Sequence, residues 1–269
     1  MDNTLKFEAF GIKKRIKSML SVDFKRLMRS RLFYILIAAA LLMPILMTVM
    51  MSMMDGSESV NQQTGEVTVL QGPENAWQNI GALPGSESMG GMDVFAMCNI
   101  NMMFMAVAIF VCLFISDDFR SGYNKNLFTV RAKKSDYVFS KTVVGFIVGA
   151  LMLIAYLLGS VIGGAIAQLS FDLFGLSAMN LIMCILSKIF LMLVFVSIFT
   201  VISVAVKERA WLSLVLSFGG GMLLFMTVSM ITPLDSTPIN LILCLIGGGV
   251  FAIGLGTVSK IILSKTKLV

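Results

Sequence analysis

Six long apolar runs constrain this chain more than any other feature of its sequence. They cover residues 32–54, 94–116, 142–171, 181–206, 210–234 and 236–259. A helix needs about 20 predominantly apolar residues to cross the hydrocarbon core of a bilayer, whereas a membrane β-barrel shows alternating segments of about ten residues. The sequence lacks such alternation. The runs therefore predict an all-α membrane protein with six transmembrane helices, which together form one domain over residues 32–269.

The basic residues predict the orientation of these helices. Of the 21 Lys and Arg, 20 lie in residues 1–31, 117–141, 207–209 and the C-terminal tail. The alternate segments 55–93, 172–180 and 231–238 contain eight Asp and Glu but no Lys or Arg. Because short cytoplasmic segments are enriched in Lys and Arg, both ends of the chain are predicted to be cytoplasmic. The expected location is the bacterial cytoplasmic (inner) membrane, which the chain crosses several times.

The basic segment 1–31 precedes the first apolar run and carries an apolar stripe. Lys and Arg occupy much of the surface between the apolar positions, which recur at spacings of three and four residues. This pattern is typical of an amphipathic helix that lies in the membrane interface. The stripe consists of Ile12, Ile16, Met19, Leu20, Phe24, Leu27 and Met28.

Two connections between the predicted spans are long enough to contact other molecules. Segment 55–93 is a polar outer loop rich in Gly, Ser, Asn and Gln. Segment 117–141 is cytoplasmic, and Gly122 can end the helix that enters it. After Gly122 the sequence predicts a short helix with a half-apolar surface, as expected of a segment that binds another protein.

The loop that begins Asp117-Asp118-Phe119-Arg120-Ser121-Gly122 and continues to Lys125-Asn126 resembles the corresponding loop of ABC-2-type transporter permeases. The resemblance extends over nearly the whole chain: a basic interfacial helix, six spans and a larger first outer loop. It is greatest to the membrane subunits of Gram-positive peptide exporters, including phenol-soluble modulin exporters and bacitracin or lantibiotic resistance systems. Such permeases pair with a separate ATP-binding subunit, and this sequence has no Gly-x-x-x-x-Gly-Lys-Ser/Thr phosphate-binding motif.

The resemblance implies a transport subunit and not an enzyme. Two permease chains, expected to be a homodimer, would combine with two ATPases, and Mg-ATP would be bound only by those partners. Residues 123–131 would form a coupling helix in a groove of the ATPase, and the 207–209 turn would make a second contact. The implied coupling residues are Tyr123, Asn124, Lys125, Asn126, Leu127, Phe128, Thr129, Val130, Arg131, Lys207, Glu208 and Arg209.

Some polar and adaptable side chains inside the spans are candidates to line a transport path. Lys188 is the only charge well inside a predicted span, and an intramembrane charge marks a functional site by default. It lies about 28 Å along a helix from Lys207, near the outer interface, where a lysine can instead extend to water as an anchor. Both interpretations stay open. The candidate path-lining residues are Met43, Met47, Met50, Asn99, Asn101 and Lys188.

The sequence and its resemblance favour the permease of an ATP-driven exporter of amphipathic or antimicrobial peptides, for toxin secretion or self-protection. An exporter of drugs, lipid-linked intermediates or sodium is the alternative, and an ATP-independent channel or secondary transporter is a further one. The sequence has no His, and its Met side chains are better suited to adaptable packing than to Cu(I). No metal site, catalytic residue or nucleic-acid partner is expected.

Overall fold

The structure is a computed structural model that describes residues 12–60, 67–69, 72–80, 99–129, 133–173 and 175–265. It is almost entirely helical. The eight helices in these ranges are α1 (Ile12–Arg29), α2 (Arg31–Met53), α3 (Met102–Arg120), α4 (Tyr123–Thr129), α5 (Lys134–Ile166), α6 (Ala178–Val206), α7 (Ala210–Ile231) and α8 (Pro238–Lys265). A two-stranded antiparallel hairpin, β1 (Glu58–Val60) with β2 (Val67–Val69), and a 3₁₀ helix (Ala76–Asn79) lie between α2 and α3.

The helices confirm the predicted all-α membrane fold. Five of them, α2, α3, α5, α6 and α8, are long and apolar enough to cross a membrane. The remaining predicted span, 210–234, corresponds to α7. The 22 residues of this helix extend for about 33 Å, enough for a hydrocarbon core of about 30 Å. α8 begins at Pro238, where the sequence predicts a helix start because proline is favoured in the first turn.

The core of the bundle is built around α6. This helix packs against α3, α5, α7 and α8, and α3 also contacts α5 and α7. α2 packs along α5, and α1 lies against the first turns of α5. Large apolar side chains remain exposed on α2 and α8, as expected of helices whose outer surfaces face lipid or another helix.

Small residues allow α5 to approach two neighbouring helices. At Gly159 an added Cβ would collide with the carbonyl oxygen of Leu41 and with the ring of Pro44 on α2. At Gly149 an added Cβ would overlap the side chain of Met192 on α6. Gly145 with Gly149 and Gly159 with Gly163 form two GxxxG spacings on α5, which serve close packing within the chain, as such motifs do in membrane helices.

The described part of the outer segment 55–93 is held against the bundle by side-chain amides. Asn79 Nδ2 donates to Thr48 Oγ1 on α2 at 2.7 Å, and Asn75 Nδ2 donates to the carbonyl oxygen of Asp172 at 2.6 Å. Trp77 Nε1 donates to the carbonyl oxygen of Phe171 at 3.0 Å. These bonds fix the 3₁₀ helix over the α2 and α5 ends at the side predicted to face outward.

The close approach at Gly159 predicts a specific sensitivity to substitution. Gly159→Ala should destabilise the protein by about 1–3 kcal/mol, because the new methyl group forces α2 and α5 apart. We expect a lower midpoint of thermal unfolding in detergent, followed by fluorescence-detected size exclusion.

Gly247→Ala on α8 is the matched control, since no atom lies within 4 Å of a Cβ built there. Alanine is the better helix former, so this variant should be neutral or slightly more stable. Equal midpoints for the two variants would show that the contact between α2 and α5 at Gly159 is not tight.

Candidate functional site

Four charged side chains from three helices, three of them fully buried and one partly exposed, form a cluster at one end of the bundle. Asp23 and Arg26 come from α1, Asp118 from the last turn of α3, and Lys141 from the second turn of α5. We refer to these four residues as the ion cluster. The sequence predicts that this end of the bundle faces the cytoplasm, because it carries most of the Lys and Arg.

Lys141 is the centre of the ion cluster. Its Nζ lies 2.7 Å from Asp23 Oδ1 and 2.7 Å from Asp118 Oδ2. All three side chains are fully buried. The lysine therefore joins a carboxylate of α1 to a carboxylate of α3 from its own position on α5.

Arg26 balances the second carboxylate charge. Its Nη1 lies 2.5 Å from Asp118 Oδ1 and 3.7 Å from Asp23 Oδ1. Burial of the guanidinium opposes its charge, but the carboxylates of Asp118 and Asp23 outweigh that effect and raise the pKa of Arg26. The ion cluster thus contains two positive and two negative charges.

Neutral hydroxyl groups donate a further hydrogen bond to one oxygen of each carboxylate. Ser140 Oγ donates to Asp23 Oδ2 at 2.6 Å, and Tyr137 Oη donates to Asp118 Oδ2 at 3.0 Å. Both donors lie within one turn of Lys141 on α5. A buried ion pair offsets its desolvation only when such additional hydrogen bonds are made, and removal of one partner leaves an uncompensated buried charge.

Aromatic rings extend the ion cluster to the short helix α4. The Arg26 guanidinium carbon lies 4.5 Å from the ring centroid of Tyr123, and Lys141 Nζ lies 4.2 Å from that of Phe114. Such cation–π contacts strengthen when the cation is desolvated. Burial, together with the negative charge of Asp23 and Asp118, raises the pKa of Tyr123, so its ring stays neutral at physiological pH.

α4 is a seven-residue helix with one face in the protein and one face outside it. Gly122, at a φ of 70°, ends α3 and turns the chain into α4. Asn124 is buried, Leu127 is half-buried, and the ring of half-buried Phe128 packs edge-on against Tyr137 with 5.7 Å between centroids. The exposed residues of α4 are Lys125, Asn126 and Thr129.

The structure places the predicted coupling residues in two segments. Residues 123–129 form α4, while Val130 and Arg131 lie outside the described residues. Lys207, Glu208 and Arg209 form the turn between α6 and α7. The next residue, Ala210, lines the same cleft as Arg120 of α3, so this turn lies at the end of the bundle that carries α4.

The candidate path-lining residues separate into two groups. Met43, Met47 and Met50 are half-buried or exposed along α2. Asn99 and Asn101 are buried just before α3.

Asn101 and Lys188 meet in a polar network at the other end of the bundle. Lys188 Nζ donates to Asn101 Oδ1 at 2.8 Å and to Thr232 Oγ1 at 3.0 Å, and Asn101 Nδ2 donates to Ser229 Oγ at 2.9 Å. Lys188 is only 1% exposed, so the expectation that it extends to water as an anchor is wrong. Its ammonium group donates instead to two neutral oxygens within the bundle, one on the residue after α7 and one on the residue before α3.

Sequence reasoning missed the ion cluster, although one signal was present. Asp23 lies four residues from both Met19 and Leu27 on α1, and all three residues are buried on the face that packs against α5. An acidic residue on an otherwise apolar face indicates a buried partner. The identity of that partner, Lys141, could not be read from the pattern because the two residues are 118 positions apart.

A bundle of long apolar helices with a short surface helix between two of them defines the chain as a multi-pass membrane protein. Its sequence matches the family model for ABC-2 family transporter proteins over residues 19–224, more than half of the chain. The chain therefore belongs to the ABC-2 transporter family. No curated protein and no solved structure matches it significantly. The family match includes the whole ion cluster and α4.

The ion cluster predicts that substitutions at two adjacent aspartates have different effects on the stability of the protein. Asp118→Asn should destabilise the protein by about 3–5 kcal/mol, because Lys141 and Arg26 are left with a single buried carboxylate. Thermal unfolding in detergent or nanodiscs measures the effect.

Asp117→Asn is the control, since the side chain of Asp117 is 70% exposed and lies 3.7 Å from Arg26. An exposed pair of this kind contributes about 0–1 kcal/mol. The interpretation of the ion cluster is wrong if both variants unfold at the temperature of the wild-type protein.

Proposed function

We propose that this chain is the membrane-spanning permease subunit of an ATP-driven exporter and that α4 is its contact with a separate ABC ATP-binding subunit. The observation that carries the proposal is the two-sided arrangement of α4. One face packs on the ion cluster and Tyr137, and the other presents Lys125, Asn126 and Thr129 to solvent. Membership of the ABC-2 family supports a role as a transport subunit.

The short length of α4 also supports a docking role. A seven-residue helix is too short to be stable alone in water, so its conformation depends on the surfaces that contact it. The rest of the protein supplies one such surface, where Arg26 contacts Tyr123 and Tyr137 contacts Phe128. The ATPase would supply the other, and the Lys207–Arg209 turn would add a second contact at the same end of the bundle.

The ion cluster gives the proposed contact a physical connection to the spans. Movement of α4 would displace Tyr123 and Phe128, and these rings contact Arg26 of α1 and Tyr137 of α5. Arg26 is paired with Asp118 of α3. ATP can drive export only if nucleotide binds more tightly when the permease is in one of its conformations. The contacts of α4 with the ion cluster and Tyr137 would let this difference in affinity change the arrangement of the helices.

The complete exporter would contain two copies of this chain and two ATPases, with Mg-ATP bound only by the ATPases. The distribution of Lys and Arg supports an orientation with both ends and α4 in the cytoplasm of a bacterial cell. Amphipathic or antimicrobial peptides are the preferred cargo. Half-buried and exposed Met side chains along α2 support this class, because thioether side chains adapt to varied apolar ligands.

The proposal predicts that this chain forms a stable complex with an ATP-binding subunit and that peptide stimulates ATP hydrolysis by the complex. The tagged chain, purified from native membranes in mild detergent, should carry an ATP-binding subunit at equal stoichiometry. ATP hydrolysis by the complex in lipid should increase when an amphipathic helical peptide is added. Recovery of the chain alone, with no ATP hydrolysis, would contradict the proposed role.

A charge reversal on α4 tests the contact itself. Lys125→Glu combined with Asn126→Glu changes exposed side chains only, so the permease should fold normally. Peptide-stimulated hydrolysis should fall on the order of tenfold, because the coupling between the two subunits is lost. Lys17→Glu on the exposed side of α1 is the control and should retain stimulation. Equal activity in the two variants would place the ATPase contact elsewhere.

A further inference from the structure

A cleft lies between the junction of α1 with α2 and the C-terminal end of α3. It has two adjoining lobes of about 250 and 280 Å3, which share Ser30, Phe114 and Asp117. Each lobe is several times the volume of about 30 Å3 that one water molecule occupies. The cleft is therefore large enough for a polar group of several heavy atoms.

One wall of the first lobe is apolar and belongs to membrane-spanning helices. It is formed by Leu32 near the start of α2 and by Phe110 and Leu113 on α3. Arg120 of α3 also lines the first lobe, and Arg29 of α1 lines the second. A ligand that fits both sides must combine an apolar part with a charged group.

The charged side of the cleft favours an anion. The guanidinium groups of Arg29 and Arg120 are exposed and form no ion pair or hydrogen bond with another residue in the described part of the chain. Arg26 also borders the second lobe but is paired with Asp118. Among the described residues, Asp117 is the one acidic residue that lines the lobes, so the free charges leave the cleft positive.

Polar groups inside the cleft also lack partners. Ser116 is 1% exposed and lines the first lobe, yet its Oγ has no hydrogen-bond partner among the described residues. Ser30, the N-cap residue of α2, makes no side-chain capping bond, and Ala210 begins α7 at the same lobe. The first turns of α2 and α7 therefore border the first lobe.

We propose that this cleft binds the phosphate headgroup of an anionic phospholipid from the adjacent leaflet. The phosphate would lie beside Arg120 in the first lobe, and Arg29 would add its positive charge from the adjoining lobe. An acyl chain would follow Leu32 and Leu113 into the hydrocarbon core. Basic pockets between membrane helices on the cytoplasmic side are suited to such headgroups. The apolar wall favours a lipid over a soluble phosphate, because a free ion would leave that wall without a ligand.

Occupancy of this site would also affect the ion cluster. Arg26 lines the second lobe while it contacts Asp118 and the ring of Tyr123. A lipid phosphate in the cleft would bring a further negative charge close to that guanidinium. The inference does not require the proposed ATP-driven role, since the binding site lies entirely within this chain.

Native mass spectrometry of the purified full chain in detergent tests the site. The probes are phosphatidylglycerol, phosphatidylcholine with the same acyl chains, and glycerol phosphate without acyl chains. Wild-type protein should bind phosphatidylglycerol about tenfold more tightly than phosphatidylcholine, since each basic residue adds to the attraction of an anionic headgroup. Glycerol phosphate at the same concentration should not displace the lipid.

Two double variants separate this cleft from general attraction to basic surfaces. Arg29→Gln combined with Arg120→Gln should abolish the preference for phosphatidylglycerol. Lys17→Gln combined with Lys260→Gln removes two exposed positive charges from α1 and α8 and should preserve it.

Three results would overturn the proposal. Wild-type protein that binds both lipids equally would exclude an anionic headgroup site. Retention of the preference in the Arg29/Arg120 variant would place the site elsewhere. Displacement of the lipid by glycerol phosphate alone would identify a site for a soluble phosphate ester and not for a lipid.

Discussion

The arrangement of one end of this protein depends on a single buried ammonium group. Lys141 Nζ lies between carboxylates of α1 and α3, and none of the three side chains is exposed. Charges in such surroundings are stable only as a complete set, because the loss of any member leaves another unpaired. This constraint fixes α1 against the bundle and holds the C-terminal end of α3 beside the second turn of α5. The position of α4 follows from these three helices.

The two polar networks, at opposite ends of the bundle, differ in how their charges are balanced. The ion cluster contains compensating charges and contacts a helix with an exposed face. The network around Lys188 contains one charge solvated by neutral oxygens and connects α6 with α7 and the start of α3. Both networks contact α3, and α6 lies beside it throughout the core. α3 is therefore the helix that both networks contact.

The sequence predicted the helices well because the bilayer imposes a length and a composition on each span. It also predicted the break at Gly122 and the helix start at Pro238. It did not predict the partners of charged residues, because pairing depends on how helices meet in space. Lys141 was counted only as part of a basic loop, and Lys188 was interpreted either as a path-lining residue or as an anchor that reaches water. Both are buried by helices distant in sequence, which periodicity along one segment does not reveal.

The most direct test of the account is whether Lys141 holds α4 in place relative to α1. Spin labels on cysteines introduced at Lys17 and Lys125, in a background without native cysteines, report the distance between these helices by pulsed electron resonance. Wild-type protein in nanodiscs should give one narrow distribution, and Lys141→Met should broaden it. The same narrow distribution in both proteins would contradict the claim that the ion cluster fixes the helix proposed to meet the ATPase.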